Sequence, residues 1–87
     1  MKLEVLKFSS PTCGPCKLLS KVLEGISGIT EVTANPDGMK LFMKYNVRKV
    51  PTLIFLKDDV EVHKEVGAIS LTKYNDIIND IKFSKEL

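Results

Sequence analysis

The 87-residue sequence predicts an α/β fold with a four-stranded mixed sheet and three flanking helices, in the element order βαβαββα. Two observations lead to this prediction. Strand-like stretches alternate with stretches of helical periodicity, and two strand-helix units are followed by a hairpin and a last helix. Strand-helix-strand units pair in parallel through right-handed crossovers, whereas a hairpin is antiparallel, so the sheet is mixed. The length suits one domain over residues 1–87.

The first half of the chain contains the two strand-helix units. Its composition predicts a strand over residues 3–8, and apolar residues at helical spacing predict an amphipathic helix over residues 16–26. A short second strand follows over residues 29–33. Asn35-Pro36-Asp37 then supplies a cap, a proline for the first turn and an early acid, which is typical of a helix start. We expect this second helix to end near Tyr45.

The second half of the chain contains the hairpin and the last helix. Strands are predicted over residues 52–57 and 60–66, separated by a tight turn at Asp58-Asp59. Ser70 caps the last helix, and residues 82–87 are predicted to be its fraying end. The apolar residues along one side of this helix are Leu71, Tyr74, Ile77, Ile78 and Ile81.

Composition and charge argue against several classes of function. Hydrophobic residues make up 44% of the chain and charged residues 28%, as in an ordinary globular protein. The 13 basic and 11 acidic residues are scattered, without a basic block, so no nucleic-acid partner is expected. Charged residues interrupt the segment 1–7, so no signal peptide is predicted. The sequence has no apolar run of 18 residues, so no membrane partner is expected. We expect a monomer that acts in the reducing cytoplasm.

The only two cysteines lie in the segment Cys13-Gly14-Pro15-Cys16, where a strand pattern ends and a helical pattern begins. At a helix start this spacing places both sulfurs on one face, where they can form a reversible disulfide. The unpaired N–H groups and the dipole at a helix N-terminus favour the thiolate at Cys13. Pro15 suits the first turn, and Cys16 is deeper in the helix and therefore more buried. The pattern predicts Cys13 as nucleophile and Cys16 as resolving thiol.

Three other uses of the cysteine pair remain as alternatives. A structural disulfide over such a short loop constrains little of the unfolded chain. A zinc site needs about four ligands, and only His63 remains, so a metal or iron-sulfur site would have to be shared between two chains. Two ordinary buried cysteines are the third alternative. No cofactor or metal is predicted, and His63 is expected to be a solvent-facing strand residue.

The chain resembles the thioredoxin superfamily along essentially its whole length. The segment Cys13-Gly14-Pro15-Cys16 resembles the motif of thioredoxins, and residues 45–52 and 66–70 resemble the second and third landmarks of the family. The resemblance implies a thiol-disulfide oxidoreductase that reduces disulfides in protein substrates. It also implies a flavin-dependent thioredoxin reductase as the electron donor, with glutathione as the second option.

The same resemblance implies a substrate groove beside the dithiol. Pro51 should be a cis-proline facing the disulfide, and the backbone of Val50 should pair with the substrate chain. Gly67 and Ala68 should line the same groove. Without the cysteines, Pro51 would be interpreted only as the residue that begins a strand.

Three departures from the thioredoxin pattern keep other functions open. Lys7 stands where thioredoxins usually carry a buried acid, and Thr12 replaces the tryptophan before the motif. The approach over residues 8–13 and the short length resemble glutaredoxins instead, although residues 66–70 lack the glycine pair and aspartate that hold glutathione there. A glutathione-dependent glutaredoxin-like enzyme is therefore one alternative. A binding or accessory module whose redox activity is incidental is another.

Lys7 allows three interpretations. A protonated lysine near the dithiol would favour the thiolate and tune the cysteine pKa values. A neutral, desolvated lysine would itself accept a proton. In the third interpretation the aliphatic stem packs in the core while the ammonium reaches water.

Overall fold

The computed structural model describes residues 2–83 and confirms the predicted order of elements. The predicted fraying end over residues 82–87 lies mostly outside the described residues, and Lys82 is helical. The elements are β1 (Leu3–Ser9), α1 (Gly14–Val22), β2 (Ile29–Thr33), α2 (Met39–Lys44), β3 (Thr52–Lys57), β4 (Val60–Val66) and α3 (Leu71–Phe83).

The four strands form one mixed sheet in the order β2-β1-β3-β4. β1 pairs in parallel with β2 and antiparallel with β3, and β4 pairs antiparallel with β3. The register joins Phe8 to Thr52 and Thr52 to Val66. As a result, the carboxyl end of β1, the amino end of β3 and the carboxyl end of β4 lie side by side at one end of the sheet. We call this row of strand ends the active edge.

Helices on both faces of the sheet bury its central strands. Alternate residues point to opposite faces, so Val5 contributes to the core beneath α1 and α3, while Leu6 and Phe8 contribute to the core beneath α2. The five residues of β3 from Thr52 to Leu56 are all buried, as expected for a strand covered on both sides.

The bounds of α1 and α2 differ from the prediction, and α1 begins two residues earlier, at Gly14. α1 ends at Val22, because Leu23 is its C-cap and Gly25 adopts the left-handed conformation with a φ of 82°. α2 begins later than its Asn35 signal, because Asn35 Oδ1 accepts a 2.7 Å hydrogen bond from the Gly38 N–H and closes a separate turn. A Cβ at Gly38 would collide with the carbonyl oxygen of Thr33, so the turn packs directly on the end of β2.

The β3–β4 hairpin turns at Asp58-Asp59, as predicted. Both residues have positive φ values, 51° and 68°, a conformation that aspartate tolerates and that the tightest hairpin turns require. The Asp58 N–H donates a 2.7 Å hydrogen bond to the carbonyl oxygen of Lys2, so the turn is tied to the residue before β1.

A small ionic cluster joins β4 to α3. Glu65 lies 3.0 Å from His63 Nε2 and 3.0 Å from Lys73 Nζ. The hydrogen bonds with His63 and Lys73 hold the pKa of Glu65 below its ordinary value. The cluster therefore stabilises the fold above the pKa of an unfolded glutamate, and this contribution is lost as pH falls through the lowered value. His63, expected to face solvent, is half-buried beside the Phe55 ring, with ring centroids 5.5 Å apart.

Candidate active site

The two cysteines form a disulfide at the start of α1, in the segment that follows the carboxyl end of β1. Cys13 is the N-cap of the helix with extended backbone angles, and its Cα lies 5.2 Å from that of Cys16. Pro15 occupies the first helical turn, where a missing N–H costs no intrahelical hydrogen bond. The predicted geometry, with both sulfurs meeting across one turn, is confirmed.

Hydrogen bonding and exposure distinguish the two sulfurs. The backbone N–H of Cys16 donates a 3.1 Å hydrogen bond to Cys13 Sγ, at the end of the helix where N–H groups are unpaired. Cys16 is only 3% exposed, whereas Cys13 is partly exposed between the exposed residues Thr12 and Gly14. Cys13 Sγ is therefore the more accessible of the two sulfurs, and a thiolate there has a hydrogen-bond donor in place.

The second segment of the site begins β3. The Val50–Pro51 peptide bond is cis, as the resemblance implies, and Pro51 is buried while Val50 is half-buried. The N–H of Gly67 donates a 2.8 Å hydrogen bond to the carbonyl oxygen of Pro51. Gly67 has a φ of 101°, which favours glycine, and the exposed Ala68 follows it. The four residues predicted to form a groove thus lie together at the active edge.

Lys7 is buried under α1 and does not extend to water. Its side chain is 7% exposed, and its ammonium donates to Ser20 Oγ and lies 3.7 Å from Glu31 Oε2. Ser9 Oγ donates a 2.7 Å hydrogen bond to the same carboxylate oxygen. The interpretation in which the ammonium reaches open water is therefore wrong. We call these four side chains the Lys7 network.

The Lys7 network lies under α1, the helix that carries Cys16. Ser20, which the ammonium contacts, follows Cys16 by one helical turn and lies in the second half of α1. Lys7 and Glu31 are direct partners in the parallel register of β1 and β2, which places both side chains on the α1 face. The Glu31 side chain is 55% exposed, so the network opens to solvent at its carboxylate.

Sequence reasoning identified Lys7 but missed Ser20 and Glu31. The three residues come from three different elements, and the register of two strands brings them together. One sequence signal could have indicated Glu31. Side chains alternate along β2, so Glu31 lies on the same face as Ile29, which is half-buried against the core.

The described part of the chain contains neither a cluster of metal ligands nor a helix that could span a membrane. Within residues 2–83, no three histidine, cysteine, aspartate or glutamate side chains gather closely enough to bind a metal ion. No helix of that range combines the length and the apolar character needed to cross a bilayer.

Known proteins resemble this chain in both sequence and structure. The family model named Thioredoxin matches residues 1–81. The chain is 31% identical over 85 residues to a Thioredoxin H-type of Oryza sativa subsp. indica, covering 92% of this chain and 70% of that protein. It is 32% identical over 81 residues to a thioredoxin of Haemophilus influenzae, covering 86% and 76%.

Solved structures show the same likeness. The thioredoxin of Fasciola hepatica has a TM-score of 0.70 at 29% identity, covering 90% of this chain and 79% of that one. The thioredoxin of Aeropyrum pernix has a TM-score of 0.78, covering 91% and 74%, and at 24% identity it supports the shared fold alone.

The unequal exposure of the two sulfurs predicts unequal alkylation of the reduced protein. Iodoacetamide at neutral pH should modify Cys13 at least about tenfold faster than Cys16, since thiolate character and access both favour Cys13. Peptide mass spectrometry after timed quenching measures both rates. The Cys13→Ser variant serves as the control and should label slowly at Cys16. Equal rates at the two cysteines would contradict the assignment.

Proposed function

The chain belongs to the thioredoxin family, and from that premise we propose the reaction course, the partners and the cellular setting of its dithiol. It is a thiol-disulfide oxidoreductase with protein-disulfide reductase activity. One observation supports the proposed course above all others: the partly exposed Cys13 Sγ accepts the N–H of the buried Cys16 at a helix N-terminus. That arrangement separates an attacking thiol from a resolving thiol.

The proposed reaction has two exchange steps. The Cys13 thiolate attacks one sulfur of a substrate disulfide, so that the substrate S–S bond breaks and a mixed disulfide forms. The released substrate thiolate takes a proton from solvent. Cys16 then loses its proton and attacks Cys13 Sγ, which releases the second substrate thiol and forms the Cys13–Cys16 disulfide. Two electrons pass from the protein to the substrate, and the structure corresponds to the oxidised product.

The segment on either side of Pro51 is the proposed substrate groove. An extended substrate chain pairs with the backbone of Val50, in the manner of an added strand, while Gly67 and Ala68 line the opposite side. The hydrogen bond between Gly67 and Pro51 supports this proposal, because it holds both walls of the groove at the active edge.

A flavin-dependent thioredoxin reductase is the proposed electron donor, and the reducing cytoplasm is the proposed location. Family membership supports the donor, and residues 66–70 lack the glycine pair and aspartate of the glutaredoxin pattern. The location is supported by the chemistry, because a dithiol that donates electrons needs a compartment that keeps it reduced. The protein acts as a monomer in this proposal.

Lys7 is proposed as the residue that tunes the dithiol through its positive charge. Of the two electrostatic interpretations we propose the one with a charged ammonium, which lies 3.7 Å from the Glu31 carboxylate. The Lys7 side chain is buried and lies under the helix that carries Cys16, and the Glu31 carboxylate beside it is exposed. A positive charge near the cysteine pair favours its thiolate form.

Cysteine variants test the proposed course of the reaction. Cys16→Ser should accumulate a mixed disulfide between Cys13 and a protein substrate, because the resolving step is lost. Cys13→Ser should form no such adduct and should lose disulfide reduction. Non-reducing electrophoresis and mass spectrometry measure the adduct. Full function in Cys13→Ser would instead support a binding or accessory module.

The electron donor is tested by coupled assays with the same protein substrate. Oxidation of NADPH should be fast with thioredoxin reductase and slow with glutathione and glutathione reductase. Omitting this protein from each assay gives the background rate. A faster reaction in the glutathione assay would reject the proposed donor and favour a glutaredoxin-like enzyme.

The Lys7 network predicts shifts of opposite sign for two variants. Lys7→Met should move the midpoint of Cys13 thiolate formation to higher pH by about half a unit to one unit, because a stabilising charge is removed. Glu31→Gln should move it to lower pH, because the ammonium loses its counter-charge. Thiolate absorbance in the ultraviolet measures the midpoint. The exposed Lys21→Met is the control and should change little.

Two outcomes would contradict the role of Lys7. An unchanged midpoint in both variants would leave Lys7 without an electrostatic effect on the dithiol. Shifts of the same sign in both variants would indicate that the substitutions disturb packing under α1, since removal of opposite charges has opposite electrostatic effects.

A further inference from the structure

A groove of about 370 Å³ adjoins the proposed substrate site on the α2 side of the sheet. The residue pair Thr52 and Val66 forms part of it, and these are the residues directly after Pro51 and directly before Gly67. A chain laid along Val50 and Gly67 therefore reaches the groove within a few residues. The full lining is Asn46, Val47, Arg48, Lys49, Thr52, Lys64 and Val66. We call it the basic groove.

Three of the residues lining the basic groove are cations without a carboxylate partner among residues 2–83. Arg48 and Lys49 are exposed, and Lys64 is half-buried. None of the ion pairs within that range involves them: the basic partners there are Lys2, Lys7, His63 and Lys73. The groove thus concentrates positive charge that the described structure does not neutralise.

Two of these cations are held in position by hydrogen bonds to uncharged groups. Lys64 Nζ donates to the carbonyl oxygens of Tyr45 and Asn46, at 3.0 and 3.3 Å, where α2 ends. Arg48 Nε donates a 3.3 Å hydrogen bond to Asn46 Oδ1. These contacts leave further N–H donors on both side chains, since a lysine carries three and an arginine five. The groove is therefore partly preorganised for a negatively charged ligand.

The backbone beneath the third cation is also held. Thr52 Oγ1 donates a 2.6 Å hydrogen bond to the carbonyl oxygen of Lys49, which closes the loop before Pro51. Lys49 is in this way joined to β3, and its position relative to the substrate groove is set by the fold. Apolar atoms of Val47 and Val66 supply the remaining walls, against which the stem of a glutamate can pack.

We propose that the basic groove binds a carboxylate-bearing segment of the protein substrate beside its disulfide, so that the enzyme favours disulfides flanked by acidic residues. The inference rests on the proposed function, because the substrate must lie along Val50 and Gly67 for its flank to reach Arg48 and Lys49. An acidic peptide fits better than a nucleic acid. The net charge of +2 and the absence of a basic stripe offer too few phosphate contacts for a polynucleotide.

Single-turnover kinetics with matched peptides test the preference. Three synthetic peptides share one intramolecular disulfide and differ in a pair of flanking residues, glutamates, glutamines or lysines. Pre-reduced protein is mixed with each peptide, quenched with acid and analysed by chromatography, so that no reductase is needed. The rate constants should follow the order glutamate, glutamine, lysine, with a spread of about tenfold at low salt that shrinks at high salt.

A pair of double variants assigns the preference to the groove. Arg48→Gln with Lys49→Gln should bring the ratio of the glutamate and glutamine rates close to one, because it removes two cations of the groove. Lys21→Gln with Lys82→Gln removes the same net charge from exposed positions of α1 and α3, and should keep the ratio of the parent protein.

The outcomes separate this inference from the proposed function. Equal rates for the three peptides would overturn the preference and leave the reductase activity intact. An equal loss of preference in both double variants would overturn the assignment of the preference to the basic groove, since net charge alone would then be responsible. If a single-stranded oligonucleotide bound at Arg48 and Lys49 slows the reduction of all three peptides, a nucleic-acid ligand is favoured and the preference for acidic peptides is overturned too. If no peptide is reduced, the proposed function fails and the inference with it.

Discussion

The pairing of β1 along both of its edges is the constraint on which the rest of the structure depends. β1 lies between a parallel neighbour and an antiparallel neighbour, so the carboxyl end of β1 meets the amino end of β3. The chain leaves β1 into the helix that carries Cys13 and enters β3 through Pro51. A helix N-terminus that favours a thiolate and a backbone segment that can receive an extended chain therefore adjoin the same edge.

The same strand also brings a charge under α1. Val5, Lys7 and Ser9 follow one another at a period of two on the α1 face, so the apolar core gives way to polar side chains toward the active edge. A buried ammonium is costly unless it is paired and hydrogen-bonded, and here Glu31 and Ser20 satisfy it. The buried charge thus lies next to the helix whose Cys16 loses a proton in the proposed reaction.

The sequence predicted the order and type of the elements well and the bounds of α1 and α2 less well. Local patterns reveal the type of an element, since apolar periodicity reflects which face is covered. The start of α2 was misplaced because Asn35 closes a separate turn before the helix, and the collision that a side chain at Gly38 would make involves Thr33 on another element. Local propensity contains no information about that contact.

The sequence by itself determined the chemistry of this protein: the spacing of Cys13 and Cys16 at a helix start specifies a dithiol whose two sulfurs can meet. It also determined the order of the elements, and the family landmarks predicted the residues of the proposed substrate groove. Only the tertiary structure decided the partners of Lys7 and the gathering of Arg48, Lys49 and Lys64 around one groove. The reason is physical, because such contacts join residues from separate elements and arise from strand register and helix packing.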